Sequence, residues 1–393
     1  MSRPHFHTIQ LSYNLAPNPT DRRVLHHPLM AMLEAVHETG SISGASRRLD
    51  QSYRHVWGEL KRWELELGHL LVSWTKGQPA RLSPFGEKLL WAERRALARL
   101  APGLEALRSE LERVFDVAFD DSAGVIPMYA SHDEALPRLR DQAARHHRLH
   151  LDIQFTGSVD ALGALNEGRC LVAGFHALVR APLDSPTAKV YRPMLKPGTH
   201  KLIGFATRTQ GLIAAAGNPS GIVSLGDLGR PGVRFVNRQR GTGTRVVLDE
   251  LLAGAGLAGT GIEGYERTEP SHQAVAECVA SGSADAAFGI EAVARTRGLD
   301  FVPLAHEQYF LVTLAKSLDH PHVQALLALL RSEAWREVLD AIPGYTPERS
   351  GEVLSLREAL PWWSYRKPKP KLAAKSAEPM KPGETPGLRR GVT

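Results

Sequence analysis

Residues 39–63, TGSISGASRRLDQSYRHVWGELKRW, constrain the chain most: they read as two short helices joined by a tight turn. Ser41 or Ser43 can cap the first helix, because a short hydroxyl accepts from the unpaired N–H groups of a helix start. Ile42, Ala45 and Leu49 place small apolar groups on one face, and Asp50 and Gln51 make the turn. The longer second helix carries Val56, Leu60, Trp63 and Leu67 at steps of four, three and four, a buried stripe by period. Off that stripe stand Gln51, Ser52, Tyr53, Arg54, His55, Lys61 and Arg62, the donors and acceptors expected where a recognition helix enters a DNA major groove. A basic helix face is usually just solvated; the turn and its flanks carry the DNA reading here.

Those flanks are regular. Pro28 opens a preceding helix at a position where its missing N–H costs nothing, Leu29, Met32, Leu33 and Val36 give it an apolar face, and Gly40 ends it. After the recognition helix, LLVSW (70–74) and ARLS (80–83) flank the turn Lys76-Gly77-Gln78-Pro79, a hairpin that would be the wing of a winged helix-turn-helix. Lys76 and Arg81 are placed to touch phosphate, a contact that positions without reading sequence. Ser83-Pro84 then starts a long helix. Its Leu90, Leu97, Leu100, Leu104, Leu107, Leu111 and Val114 form a heptad seam that predicts a homodimer, or a homotetramer if further surfaces pair. Pro102 is expected to kink or break this helix.

The net charge of +6 is unevenly placed. Residues 362–393 hold 8 Lys/Arg against 2 Asp/Glu and residues 21–100 hold 13 against 9, whereas residues 101–361 hold 26 against 31. Basicity therefore sits in the helix-turn-helix region and the tail, as suits a DNA-binding head on a body that does not adhere to DNA. Cys170 and Cys278 stand alone without metal-ligand spacing, so neither a metal site nor a disulfide is expected. No apolar run is long enough to span a membrane and no signal pattern opens the chain, so a cytoplasmic location is expected.

From about residue 120 the texture changes to GVIPMYA, LHLDIQFTG, LVAGFH, KLIGFAT, GLIAAAG, VRFVN, DAAFGI and LDFVPLA, separated by helical stretches. Strands alternating with helices predict parallel sheets covered on both faces, here enough for two α/β lobes with a cleft between them. Ligands in such sheets bind beyond the strand ends, at helix N-termini. Three junctions fit: Ser131-His132-Asp133, Gly157-Ser158, and Arg238-Gln239-Arg240-Gly241-Thr242-Gly243-Thr244-Arg245. Ser131, Ser158, Thr242 and Thr244 can donate hydroxyl hydrogen bonds, Gly243 lets backbone close on a ligand, and Arg238, then Arg245, brings positive charge. His132 and His176 complete the candidate ligand site, with a purely structural role equally open for His176. An all-donor shell would suit a tetrahedral dianion, since phosphate near neutral pH keeps a proton that would find no acceptor. No GxSxG elbow, nucleotide loop or nucleophile–base pair is present, and Ser131, His132 and Asp133 are chain neighbours that cannot form a triad. The expected domains are 1–23, an arm with one edge strand in HTIQLSYNL; 24–83, the winged head; 84–118, the linker helix; 119–361, the two-lobed body; and 362–393, a disordered basic tail. A catalytic role for the α/β region, and an architectural protein whose body only assembles partners, are the rival readings.

ETGSISGASRRLDQSYRHVWGEL, with the later RLSPFGEKLL, resembles the winged helix-turn-helix of molybdate-responsive ModE-type regulators, itself similar to that of LysR-type regulators. Residues 122–345 resemble a PBP-like domain of the periplasmic molybdate-binding type, through ASHDEAL, GNPSGIVSLGDL, GVRFVNRQRGTGTRVVLDELL, ADAAFGIEAVA and GLDFVPL. The resemblance implies a multidomain fold: an all-α winged head with linker helix, then a two-lobed type 2 periplasmic-binding-protein-like α/β domain. It implies a one-component transcription regulator without a cofactor, whose partners are an operator in double-stranded DNA and a small-anion effector, molybdate or tungstate. Its targets would be molybdenum-related genes, for instance those of a formate dehydrogenase. ModE-type proteins sense molybdate through small β-barrel domains, which the α/β region replaces here; a carboxylate or molybdopterin-like effector is the alternative.

Overall fold

A computed structural model of the chain describes residues 27–74, 79–119, 124–179, 183–360 and 362–363. The expected arm and its edge strand, the wing tip with Lys76, and the basic tail from residue 364 lie outside the described residues.

The head forms α1 (Pro28–Thr39), α2 (Ile42–Arg48), α3 (Tyr53–Leu67), β1 (Val72–Ser73), β2 (Arg81–Leu82) and the start of α4 (Pro84–Phe119). Ser41 caps α2 as expected, its Oγ accepting from the Gly44 N–H (2.9 Å), and Ser52, read in the sequence as a DNA contact, caps α3 by accepting from the His55 N–H (3.1 Å), each contributing about 1 kcal/mol. Asp50 turns the chain with φ 51°. Leu29, Leu33, Val36, Ala45, Val56, Leu60, Leu71 and Leu90 close the core. One contact was not legible in advance: the nearly buried Glu64 accepts from the N–H groups of Leu71 (2.9 Å) and Val72 (3.2 Å), tying α3 to the wing. Burial alone would raise its pKa; Lys61 and the two backbone donors overcome this and hold it below the usual carboxylate range.

Pro102 does not break α4, which runs unbroken for 36 residues. Proline removes the N–H that would bond to the carbonyl of Ala98, and the Ser271 hydroxyl donates to that carbonyl instead (2.8 Å). The heptad seam is also divided. Leu90 is buried in the head and Leu97 and Leu104 face a hollow between head and body, whereas Leu100, Leu107 and Val114 are 45%, 51% and 54% exposed.

The body is built from β3 (Gly124–Ala130), α5 (Ala135–His147), β4 (Leu149–Phe155), α6 (Ser158–Asn166), β5 (Val172–Leu178), α7 (Pro186–Tyr191), β6 (His200–Ala214), β7 (Phe235–Arg238), α8 (Gly243–Gly254), β8 (Thr268–Glu269), α9 (His272–Ala280), β9 (Ala286–Ile290), α10 (Glu291–Thr296), β10 (Asp300–Leu314), α11 (Pro321–Arg331), α12 (Glu333–Asp340), β11 (Tyr345–Thr346), β12 (Val353–Leu354) and α13 (Leu356–Ala359). The strand order is β4-β3-β5-β10-β6-β9-β7-β8, with β11 and β12 also on β6. The sheet is mixed rather than parallel. β3 pairs in parallel with β4 and β5, and β7 with β8 and β9, but β10 lies antiparallel to β5 and β6, and β6 antiparallel to β9. The runs KLIGFAT and GLIAAAG are one 15-residue strand, β6. The polar residues between them, Arg208 and Gln210, are buried with partners instead of forming a loop. Strand β5 pairs with β10 over 307–312 and β9 pairs with β6 over 210–214. The two long strands thus pass from one lobe to the other near Arg208 and Glu307, which face each other in register. Side chains alternate into two cores on opposite sheet faces, and Trp362 and Trp363 pack into the second.

Candidate functional site

Gln51 and Ser52 just before α3, and Tyr53, Arg54, His55, Lys61 and Arg62 on it, all lie at the exposed surface, as does Arg81 on the wing. They are not equivalent. Ser52 is occupied as a cap, Lys61 pairs with Glu64 (2.6 Å), and Arg62 pairs with Glu59 (2.5 Å). Arg54 has no ion pair among the described residues, which leaves its guanidinium available for an incoming partner. The sequence reading missed Trp57, 42% exposed on the same face one turn beyond Tyr53 and Arg54. Helical spacing was the available signal, since Tyr53, Trp57 and Lys61 step by four.

In the body, the three strand–helix junctions converge where the lobes meet. Ser131 Oγ and Ser158 Oγ lie 3.0 Å apart, joining the ends of β3 and β4. The second lobe presses against them through glycines. A Cβ on Gly157 would sit 2.9 Å from the Gly241 carbonyl oxygen, and one on Gly243 would sit 2.7 Å from the His176 ring. Only glycine permits this approach, so the cleft is closed.

Behind these contacts lies a buried polar cluster. Arg208 is paired with both Asp133 and Glu307, and the Tyr345 hydroxyl donates to Asp133 (2.6 Å). Burial would lower the Arg208 pKa, but Glu307, Tyr345 and Asp133 hold it well above the usual value. Arg238, 2% exposed, has no such compensation: its Nε and Nη1 lack any hydrogen-bond partner among the described residues. Burial, then the charge of Arg208, pushes its pKa down to about 9. Three buried histidines surround the pair of arginines. Burial, then Arg238, lowers His132 to about 4; burial and the two arginines hold His176 and His272 well below the usual value. All three imidazoles are therefore neutral near pH 7. Thr244 Oγ1 accepts from Gln210 Nε2 (3.3 Å) and lies 3.3 Å from His272 Nε2.

Ser131, His132, Ser158, His176, Arg238, Gly243 and Thr244 are thus brought together, and two candidates drop out. The Thr242 hydroxyl donates to the Gln239 carbonyl (2.8 Å) and accepts from the Arg245 N–H, so it serves as the helix cap. Arg245 pairs with Asp249 (3.0 Å) and stacks over Tyr265 (4.1 Å), away from the cluster. Arg208, Gln210, His272, Glu307 and Tyr309 were not foreseen. Nor is the shell all-donor. Gln210 Oε1 and Glu307 Oε2 have no partner among the described residues, and burial, opposed by Arg208, raises the Glu307 pKa. The expectation that a protonated anion finds no acceptor here does not hold. Asp133 is locked by Arg208, Tyr345 and the Ala135 N–H (2.8 Å), which removes it from any catalytic arrangement with His132. Among the described residues, no cluster of His, Cys, Asp and Glu could hold a metal ion, and no helix is long and apolar enough to cross a membrane. Both cysteines are free and buried.

Fold and site together define a class: a helix-turn-helix head joined by a long helix to a two-lobed α/β body with a closed polar cleft. Residues 28–87 match the bacterial regulatory helix-turn-helix protein family of the lysR type, and residues 140–331 match the PBP superfamily domain. The chain thus carries a lysR-type helix-turn-helix match followed by a PBP superfamily match. It is 33% identical over 201 residues to the uncharacterized protein YvgK of Bacillus subtilis (strain 168), covering 51% of this chain and 64% of that protein. It is 32% identical over 111 residues to an uncharacterized protein encoded in the 5′ region of a ferredoxin 2Fe-2S gene of Clostridium pasteurianum, covering 28% of this chain and 98% of that protein. Among solved structures it is similar to full-length CbnR complexed with target DNA, at 18% identity and a TM-score of 0.40 over 77% of this chain and 98% of that one.

Proposed function

We propose that the chain is a one-component, DNA-binding transcriptional regulator whose α/β body senses a small anion, with molybdate or tungstate the leading effector. The observation that carries the sensing role is Arg238, a buried guanidinium between the lobes with two nitrogens that lack a partner among the described residues. A buried charge without a counterion is costly, and an anion seated against Nε and Nη1 would relieve that cost. Ser131, Ser158, Thr244 and the helix starts of α6 and α8 supply further donors. Molybdate or tungstate, and control of molybdenum-related genes such as those of a formate dehydrogenase, rest on the sequence resemblance.

A second reading is favoured by Gln210 Oε1 and Glu307 Oε2. These acceptors suit an effector that also donates hydrogen bonds, such as a hydroxylated carboxylate or a molybdopterin-like compound. Calorimetry with molybdate, tungstate, sulfate, phosphate and formate separates the two. Binding of the metal oxyanions, lost in Arg238→Met, supports the first. If no oxyanion binds, or if Arg238→Met binds as wild type does, the oxyanion reading is wrong. In the head, Arg54 with Tyr53 and Trp57 would read base edges, and Arg81 and Lys76 would hold phosphate. The exposed Leu100, Leu107 and Val114 would pair two copies.

A further inference from the structure

We propose that Ser271 couples the cleft to the head, making α4 a strut that both lobes hold. This deepens the sensing reading above and rests on the lobe interface being the effector site. The second lobe grips α4 at residues 98 and 99. Ser271 Oγ donates to the Ala98 carbonyl, and Arg99 makes two bonds to the buried Glu269, from Nε (2.8 Å) and Nη2 (2.5 Å). The first lobe grips the same helix one heptad on, where the buried Arg140 of α5 donates to Glu105 (2.9 Å). The two seats are seven residues apart on a helix that rises roughly 1.5 Å per residue and does not stretch. Parting the lobes about β6 and β10 must therefore bend α4 or release one seat.

Pro102 lies between the seats, where α4 lacks a backbone hydrogen bond and bends most readily. It also creates the acceptor that Ser271 uses, because an N–H at residue 102 would otherwise bond to Ala98. Ser271 is the cap of α9, accepting from the Ala274 N–H (3.0 Å), and its chain neighbour is His272, whose ring meets Thr244 at the start of α8. One peptide bond separates the buried cluster from the contact that seats α4. The other half of α4 belongs to the head: Leu90 sits in its core and Arg94 pairs with Glu34 of α1 (2.7 Å). A hollow of about 260 Å³ beside Leu97, Ala98, Ala101 and Leu104 leaves room for the helix to shift.

Hydrogen–deuterium exchange on the full chain tests this without a ligand. Gly157→Val drives a side chain against Gly241, and Gly243→Ala drives one against His176, so each wedges the lobes apart. With exchange at 237–244 reporting opening, amides 95–106 of α4 should exchange at least tenfold faster in a wedged chain. In Ser271→Ala they should be fast already and change less than twofold when a wedge is added; Ser271→Thr, which keeps hydroxyl and cap, should restore the response. Opening at 237–244 with no change at 95–106 overturns the proposal, and so does failure of both wedges to open the lobes. Sodium molybdate then separates the two readings by calorimetry and DNA anisotropy. Ser271→Ala should bind it as wild type does and lose its effect on DNA affinity; retention of the full effect overturns the coupling. If wild type binds no molybdate while the wedge response is intact, the effector assignment falls and the coupling stands.

Discussion

Replacing Arg238 with methionine should stabilise the ligand-free protein while abolishing anion binding. The drop of the Arg238 pKa from the ordinary guanidinium value to about 9 corresponds to about 5 kcal/mol against the charged form in the fold. Relaxation and water entry as the lobes open reduce the realised penalty, and a gain of about 2 kcal/mol is expected. Methionine keeps the unbranched length and fills the same space without a charge. In a domain of this size each kcal/mol moves Tm by about 2–4 °C, so ligand-free Tm should rise by about 4–8 °C. The assay is thermal unfolding of wild type and variant, alone and with each anion. Wild type should gain stability with its ligand and the variant should not. A fall of several degrees in the ligand-free variant would refute the reasoning, because it would mean that the guanidinium is satisfied and supports the fold.

Three further outcomes are expected. Arg54→Ala should cost about 1–3 kcal/mol of operator binding and relax sequence discrimination, whereas Lys76→Ala should weaken all sequences alike and flatten the salt dependence; anisotropy against a selected operator and random DNA checks both. Leu107→Lys with Val114→Lys should give monomers by light scattering and weaken operator binding, since these residues with Leu100 form the exposed part of the seam. Acid should destabilise the fold through His132. Its folded pKa is about 4 against an ordinary 6.5, so its contribution is complete above pH 6.5 and lost as pH falls toward 4, about 3 kcal/mol in all. Denaturant titrations across this range should show a shallower acid limb in His132→Asn, and an unchanged slope would mean that His132 is protonated in the fold.

The head was legible because its signals are local. Pro28, Ser41 and Gly40 mark helix ends by their own chemistry, and Val56 and Leu60 announce a buried stripe by spacing alone. The long strands were not legible for the opposite reason. Arg208 and Gln210 interrupt an apolar run and read as loop, and their partners in the sheet, the Asp133, Glu307 and Thr244 side chains among them, come from distant segments. Pro102 is the same lesson in a helix. Its effect on α4 is decided by Ser271, 169 positions later, which supplies the donor that proline lacks. Likewise His272 starts a helix whose apolar face was all the sequence offered, and its place beside Thr244 comes from the meeting of α8 and α9.

Three arginines show what separates the proposed ligand seat from a structural charge. Arg208, Arg238 and Arg245 are 1%, 2% and 4% exposed, so burial does not distinguish them. The fate of Arg245 was readable, because Asp249 stands four residues on in the same helix and an i, i+4 pair forms wherever that helix forms. Arg208 is neutralised by two carboxylates from other strands and turns, partners that no spacing rule pairs with it. Among the described residues Arg238 has neither kind of partner, and the formal charge that lowers its pKa is Arg208, which repels it. An uncompensated charge at the contact between two lobes makes the closed form costly until something negative enters. On the proposed sensing role, the charge would set the lobe equilibrium as well as the ligand's sign, since an anion that binds the closed form better than the open one shifts the population by that difference in affinity.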